Sequence, residues 1–103
     1  MEKRVDEEKI SSGEVFKKLD ELYSNDDKIN YLQKILKKPI NAFNSRSGYV
    51  SLHTYLAHLY EAEAERLAQE GDFKEAKKLQ TTALAIHKNF RYGGEESVKE
   101  KNA

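Results

Sequence analysis

The sequence predicts an all-α fold, four helices arranged as two antiparallel hairpins. Apolar residues recur at helical spacing in four separate runs. The residues between those runs are helix-end residues: Ser and Asp before a stripe, Gly or the single Pro after one. No stretch alternates in the way a half-buried strand would require.

The first helix is expected over about 13–24. Ser11 and Glu14 have capping-box spacing. Val15, Phe16, Leu19, Leu22 and Tyr23 then form one stripe. Ser24-Asn25-Asp26-Asp27 supplies cap residues for a second helix over about 27–38, with Ile29, Leu32, Ile35 and Leu36 on its apolar side and Pro39 as its stop. The segment from Pro39 to Gly48 lacks helical periodicity and reads as a loop, with Ile40 and Phe43 turned towards the core. A long third helix is expected over about 48–70, burying Leu52, Leu56, Leu59, Tyr60, Ala64 and Leu67. Gly71 should end it in a left-handed conformation, and Asp72 should cap a fourth helix reaching about residue 90. Phe73, Ala76, Leu79, Ala83, Leu84 and Ile86 are expected to face inward on that helix. The domain reading is a flexible charged arm over 1–11, one all-α domain over 12–90 (hairpins 12–38 and 48–90) and a Gly-rich, charged, disordered tail over 91–103.

The chain has 103 residues, 38% hydrophobic and 35% charged, enough for one domain with a narrow core. Eighteen basic residues balance eighteen acidic ones, which argues against binding nucleic acid or a membrane surface through the whole chain. The absence of cysteine excludes disulfides and thiolate metal sites. There is no apolar run of membrane-spanning length, and the charged start has no apolar signal region, so a cytoplasmic location is expected.

The stretch from Ala57 to Phe90 resembles a single tetratricopeptide repeat, whose period is about 34 residues. Tyr60 stands at the early bulky position, Ala64 at a small contact position and Leu67 at the large apolar one. Gly71-Asp72-Phe73 matches the Gly-Asp-aromatic turn, Ala76 the small position of the second helix and Ala83-Leu84 the Ala-Leu pair. The chain departs from the pattern at Glu63, Gln80 and Lys88, where the family usually carries Leu, an aromatic and Pro. Residues 24–39 echo the second half of a repeat without its small residues, as a degenerate copy or an unrelated cap would. The hairpin is also similar to the first two helices of a microtubule-interacting and transport (MIT) domain, a runner-up because residues 91–103 offer no third amphipathic helix. The tetratricopeptide resemblance implies a concave groove lined by the first helix of the repeat. Carried onto this chain, the groove positions are His58, Glu61, Glu65, Ala68 and Gln69, an acidic and polar strip suited to a basic or amide-rich segment.

Candidate chemistry is sparse. His58 and Glu61, three apart, share a helix face, but two ligands do not make a metal site. His53 is off that face, and His87 suits a helix C-terminus as a cation. No metal or cofactor site is therefore expected. Glu63 is the one carboxylate that falls at an apolar position, where it would pair with Lys77, Lys78 or an N-terminal residue. With no phosphate loop and no nucleophile motif, no catalytic residue is expected. Lys34, Lys37, Lys38 and Arg46 form a basic cluster near Phe43, Tyr49 and Tyr55, which carries the alternative of a small nucleic-acid-binding helical domain.

The expectation is a non-catalytic protein–protein interaction or assembly module of tetratricopeptide-like type. Its partner would be a protein or peptide, with homodimerisation among the options. Tyr31, Tyr55 and Tyr92 are candidate exposed anchors. The alternatives are nucleic-acid binding and an MIT-like peptide-binding bundle.

Overall fold

A computed structural model describes residues 9–90. Most of the arm expected over 1–11, and all of the tail over 91–103 with Tyr92, lie outside the described residues. Those residues form an all-α structure with helices α1 (Ser12–Asp20), α2 (Asn25–Ile35), α3 (Arg46–Gln69) and α4 (Phe73–Phe90), plus a 3-10 turn at Ile40–Ala42. Among the described residues there is no strand; an isolated parallel bridge joins Ile10 and Phe43. Among the described residues no helix is long and apolar enough to cross a membrane. The chain divides into two compact units, one ending at Leu52 and one starting at His53, and α3 contributes to both.

In the first unit, local caps fix where the helices begin. Ser11 Oγ accepts the Glu14 amide (3.3 Å) and Ser24 Oγ accepts the Asp27 amide (3.0 Å), each satisfying one orphan donor of a first turn. The extended backbone of Ser24 (φ −97°, ψ 155°) takes the chain out of helix before it caps α2. For that reason α1 stops at Asp20, short of the expected 24, and its last bonds tighten, with the Leu22 amide donating to the Leu19 carbonyl (3.1 Å). Tyr23, expected on the apolar stripe, is instead 99% exposed. The end of α2 at Ile35, short of the expected 38, follows from Pro39: a proline ring collides with the carbonyl four residues earlier, which here is that of Ile35.

The segment before α3 is held closely. The Ile10 amide donates to the Ala42 carbonyl and the Asn44 amide to the Ile10 carbonyl, both at 2.8 Å. Asn44 Oδ1 accepts from the Ser12 amide (3.3 Å). Ser45 Oγ accepts from the Gly48 amide (3.0 Å) and so starts α3 at Arg46, two residues before the expected position. Gly48 faces the first turn of α1 so closely that a Cβ there would meet the Ser12 side chain. Phe43 is buried and meets the Tyr49 ring edge-on at 5.0 Å. The buried apolar residues of this unit are Val15, Leu19, Ile29, Leu32, Phe43 and Leu52. Leu19, Leu32 and Leu52 are fully buried, each contributing about 1.5–3 kcal/mol of hydrophobic stabilisation.

In the second unit, α3 ends in a Schellman motif. The Gly71 amide donates to the Ala68 carbonyl (3.0 Å) and the Asp72 amide to the Leu67 carbonyl (2.9 Å). Gly71 has φ 92°, in the region that side chains disfavour. Asp72 Oδ1 then accepts the Glu75 amide (3.3 Å), so one residue closes α3 and opens α4. Leu56, Ala57, Leu59, Tyr60, Ala64, Ala76 and Ala83 are buried; four of these seven are alanines, at 0–4% exposure, which permit close backbone approach. Phe73 and Leu84 correct the expectation of an inward stripe, for they are 68% and 65% exposed. At about 100° per residue they fall almost in line on α4 with Lys77 and Gln80, whereas Ala76 and Ala83 lie on the buried side.

Candidate functional site

Positions 58, 61, 65 and 69 recur every three or four residues, so α3 carries His58, Glu61, Glu65 and Gln69 along one side, and all four are exposed. His58 Nδ1 lies 3.0 Å from Glu61 Oε1, the pair anticipated from its spacing. The other carboxylate oxygen of Glu61 lies 2.9 Å from His87 Nε2, on α4. The His58 and His87 rings stand 5.3 Å apart, tilted by 59°. One carboxylate thus joins two imidazoles from two helices. Partial burial alone would raise the Glu61 carboxyl; the hydrogen bonds and charges of His58 and then His87 outweigh it and hold the group below its usual range.

His87 was not legible as a partner of Glu61 because the two are 26 residues apart. A signal existed in the turn. If the chain reverses at Gly71-Asp72, positions roughly equidistant from it face each other, as His58 and His87 nearly are. His53 and Phe90 fit the same rule: their rings stack at 4.1 Å and 9°. Half-buried in that stack, His53 has its pKa lowered by desolvation.

Glu63 is buried at 8% exposure, and Arg66, a residue not among the expected partners, pairs with it. Arg66 Nε and Nη2 both donate to Glu63 Oε1 (3.1 and 2.7 Å), and Arg66 Nη1 donates to Glu70 Oε2 (2.8 Å). The i,i+3 and i,i+4 spacings make this a clamp within one helix face. It raises the Arg66 pKa, first through the Glu63 hydrogen bond. The only carboxylate singled out for its unusual position is therefore held in an ion pair.

Beside Glu61 a shallow open depression is lined by Glu61, Gln80 and Leu84. It sets the exposed Leu84 next to the polar strip of α3. Phe73 and Leu84 were counted as core in the sequence, and only the turn of α4 reveals them as surface. In the first unit Lys34, Lys37, Lys38 and Arg46 are all exposed, at the end of α2 and the start of α3. Tyr31 and Tyr55 are half-buried, so they are poor candidates for exposed anchors.

Comparison with protein-family models, with curated proteins and with solved structures finds no match for this chain.

Proposed function

We propose that the protein is a non-catalytic interaction or assembly module, built around a tetratricopeptide-like antiparallel hairpin of α3 and α4. The observation that carries this reading is the uncovered apolar pair Phe73 and Leu84, in line on α4, with Leu84 bordering the Glu61–Gln80 depression. Phe73 and Leu84 stand about three helical turns apart with Lys77 and Gln80 between them, so they offer a partner two apolar anchors along one polar helix line rather than a continuous patch. A single repeat-type hairpin cannot bury both its faces alone, and stacking against a neighbour is how such units complete a core. The strip of Glu61, Glu65 and Gln69 adds the polar part of the surface and favours a basic or amide-rich partner segment. Further support comes from the resemblance of Gly71-Asp72-Phe73 and of the buried Ala64, Ala76 and Ala83 to the repeat pattern.

Photo-cross-linking tests the reading. A photoreactive residue replaces Leu84 in one variant and Lys18, on α1, in another, and both are expressed in the native host. The expected result is a discrete adduct from position 84 that is missing from position 18. Its mass would identify a second copy of the chain or a different protein. Indistinguishable adduct patterns at the two positions would refute the reading.

A further inference from the structure

We propose that His58, Glu61 and His87 form a binding site for a borderline divalent transition-metal cation of the Zn2+ type. One potential ligand atom from each residue lies within 4.8 Å of the other two. Around a tetrahedral ion with bonds of about 2.0–2.1 Å, neighbouring ligand atoms stand roughly 3.3–3.4 Å apart. The two imidazole–carboxylate contacts, at 3.0 and 2.9 Å, run to different oxygens of Glu61, so a turn of the carboxylate and an approach of the two rings bring one oxygen and both nitrogens around the ion. Two imidazoles and one carboxylate suit Zn2+, Ni2+ and Cu2+, and do not suit Mg2+ or Ca2+, which require more oxygen ligands.

The backbone already supplies the arrangement. His58 and Glu61 sit one helical turn apart on α3, and α4 brings His87 to the second carboxylate oxygen. The side chains are 63%, 45% and 27% exposed, respectively, so an ion can enter without any opening of the fold. Binding places the ion where a proton now bridges each imidazole nitrogen and the carboxylate. In a neutral ring that proton shifts to the other ring nitrogen as the ion takes its place; a ring that starts as imidazolium already carries a proton there and releases the bridging one to solvent, and Glu61 remains a carboxylate. Three protein ligands leave a fourth position to water. The bound ion ties α3 to α4, so it stabilises the second unit. It also occupies the His58–Glu61 end of the polar strip.

The chain contains three histidines, and the third, His53, is stacked on Phe90, so it serves as an internal control. Zn2+ is titrated against a chromophoric chelator with the wild type and with His58→Gln, Glu61→Gln, His87→Gln and His53→Gln, and thermal unfolding is recorded with and without the ion. The expected result is saturable binding of one Zn2+ per chain. Each ligand variant should weaken it by more than about tenfold, since even outer-shell losses cost that much. His53→Gln should leave it unchanged. At free Zn2+ about a hundredfold above the dissociation constant, the wild-type midpoint should rise by about 10 °C or more, with no rise in Mg2+. Should Glu61→Gln or His87→Gln lose helicity, the exposed position of His58 keeps His58→Gln decisive. No saturable binding at micromolar Zn2+ would overturn the proposal, as would equal affinity in His58→Gln and wild type.

Discussion

Replacing Gly48 with alanine should destabilise the protein, although the same exchange inside an ordinary helix is favourable. The new Cβ would collide with Ser12 Oγ and stand 2.5 Å from Ser12 Cβ, against an ordinary contact that begins near 3.4 Å. The hydroxyl can rotate away. Ser12 Cβ cannot, because it is fixed to the first turn of α1, which must retreat by the difference between 2.5 and 3.4 Å, or 0.9 Å. That retreat pulls on the bond from the Ser12 amide to Asn44 Oδ1 (3.3 Å) and on the two 2.8 Å bonds between Ile10 and residues 42 and 44. Forced overpacking of this kind costs about 1–3 kcal/mol, while the helix propensity of alanine returns up to about 1 kcal/mol. The net loss should be about 1–2 kcal/mol, or roughly 4–16 °C in Tm for a chain of this size. Urea unfolding followed by circular dichroism measures it, with Gly13→Ala as the reference. At Gly13 the nearest side-chain atom would be 3.7 Å away, so alanine should gain about 0.5–1 kcal/mol there. Ser12→Gly in the Gly48→Ala background removes the collision and should recover most of the loss. If Gly48→Ala is as stable as Gly13→Ala, the close approach of α1 and α3 in this unit is wrong.

Two further outcomes follow from buried ionisable groups. Burial lowers the His53 pKa, so the folded state favours the neutral ring. Its contribution is complete above the ordinary value of about 6.5 and is lost as pH falls from there through the folded value. The urea midpoint should therefore drop between pH 7.5 and pH 5.5 by less in His53→Phe, which keeps an aromatic beside Phe90, than in wild type; equal drops would remove His53 as the cause. Glu63→Leu places an apolar side chain where the repeat pattern expects one, and Arg66 keeps Glu70 as a partner. Removing one partner is costly when it leaves a buried charge unpaired, but Arg66 is half-exposed and retains Glu70, so Tm should match or exceed wild type, and a loss above about 1 kcal/mol would make the Glu63–Arg66 pair structurally required.

Features decided by nearest neighbours were the legible ones. Ser11, Ser24, Gly71 and Asp72 each act on backbone groups within a few residues, so the amino-acid type at a helix end carries the information. The buried alanines 64, 76 and 83 were visible for a related reason: small residues at helical spacing have little purpose on a wet face. Which side of α4 is covered was not legible. Its apolar residues span a wide arc, and only packing against other elements decides that Ala83 is buried while Leu84 is exposed. The Ile10–Phe43 bridge depends on a chain reversal whose length and register local patterns do not encode, whereas the Glu61–His87 pair needed the Gly71-Asp72 reversal to be followed across 26 residues. Arg66 is instructive in the opposite sense. Its spacing from Glu63 is local and readable, yet the more distant lysines were favoured because Glu63 was expected to reach across to another helix.

The central claim is that the Phe73–Leu84 face of α4 is a contact surface, and the most direct measurement is the affinity of the cross-linked partner for wild type and for Leu84→Asp. Leu84 is exposed, so the variant should keep its helicity and Tm. A charge placed at the centre of an apolar contact should weaken binding by about 30-fold or more, the scale of a hot-spot residue. An unchanged affinity, with the fold intact, would contradict the account.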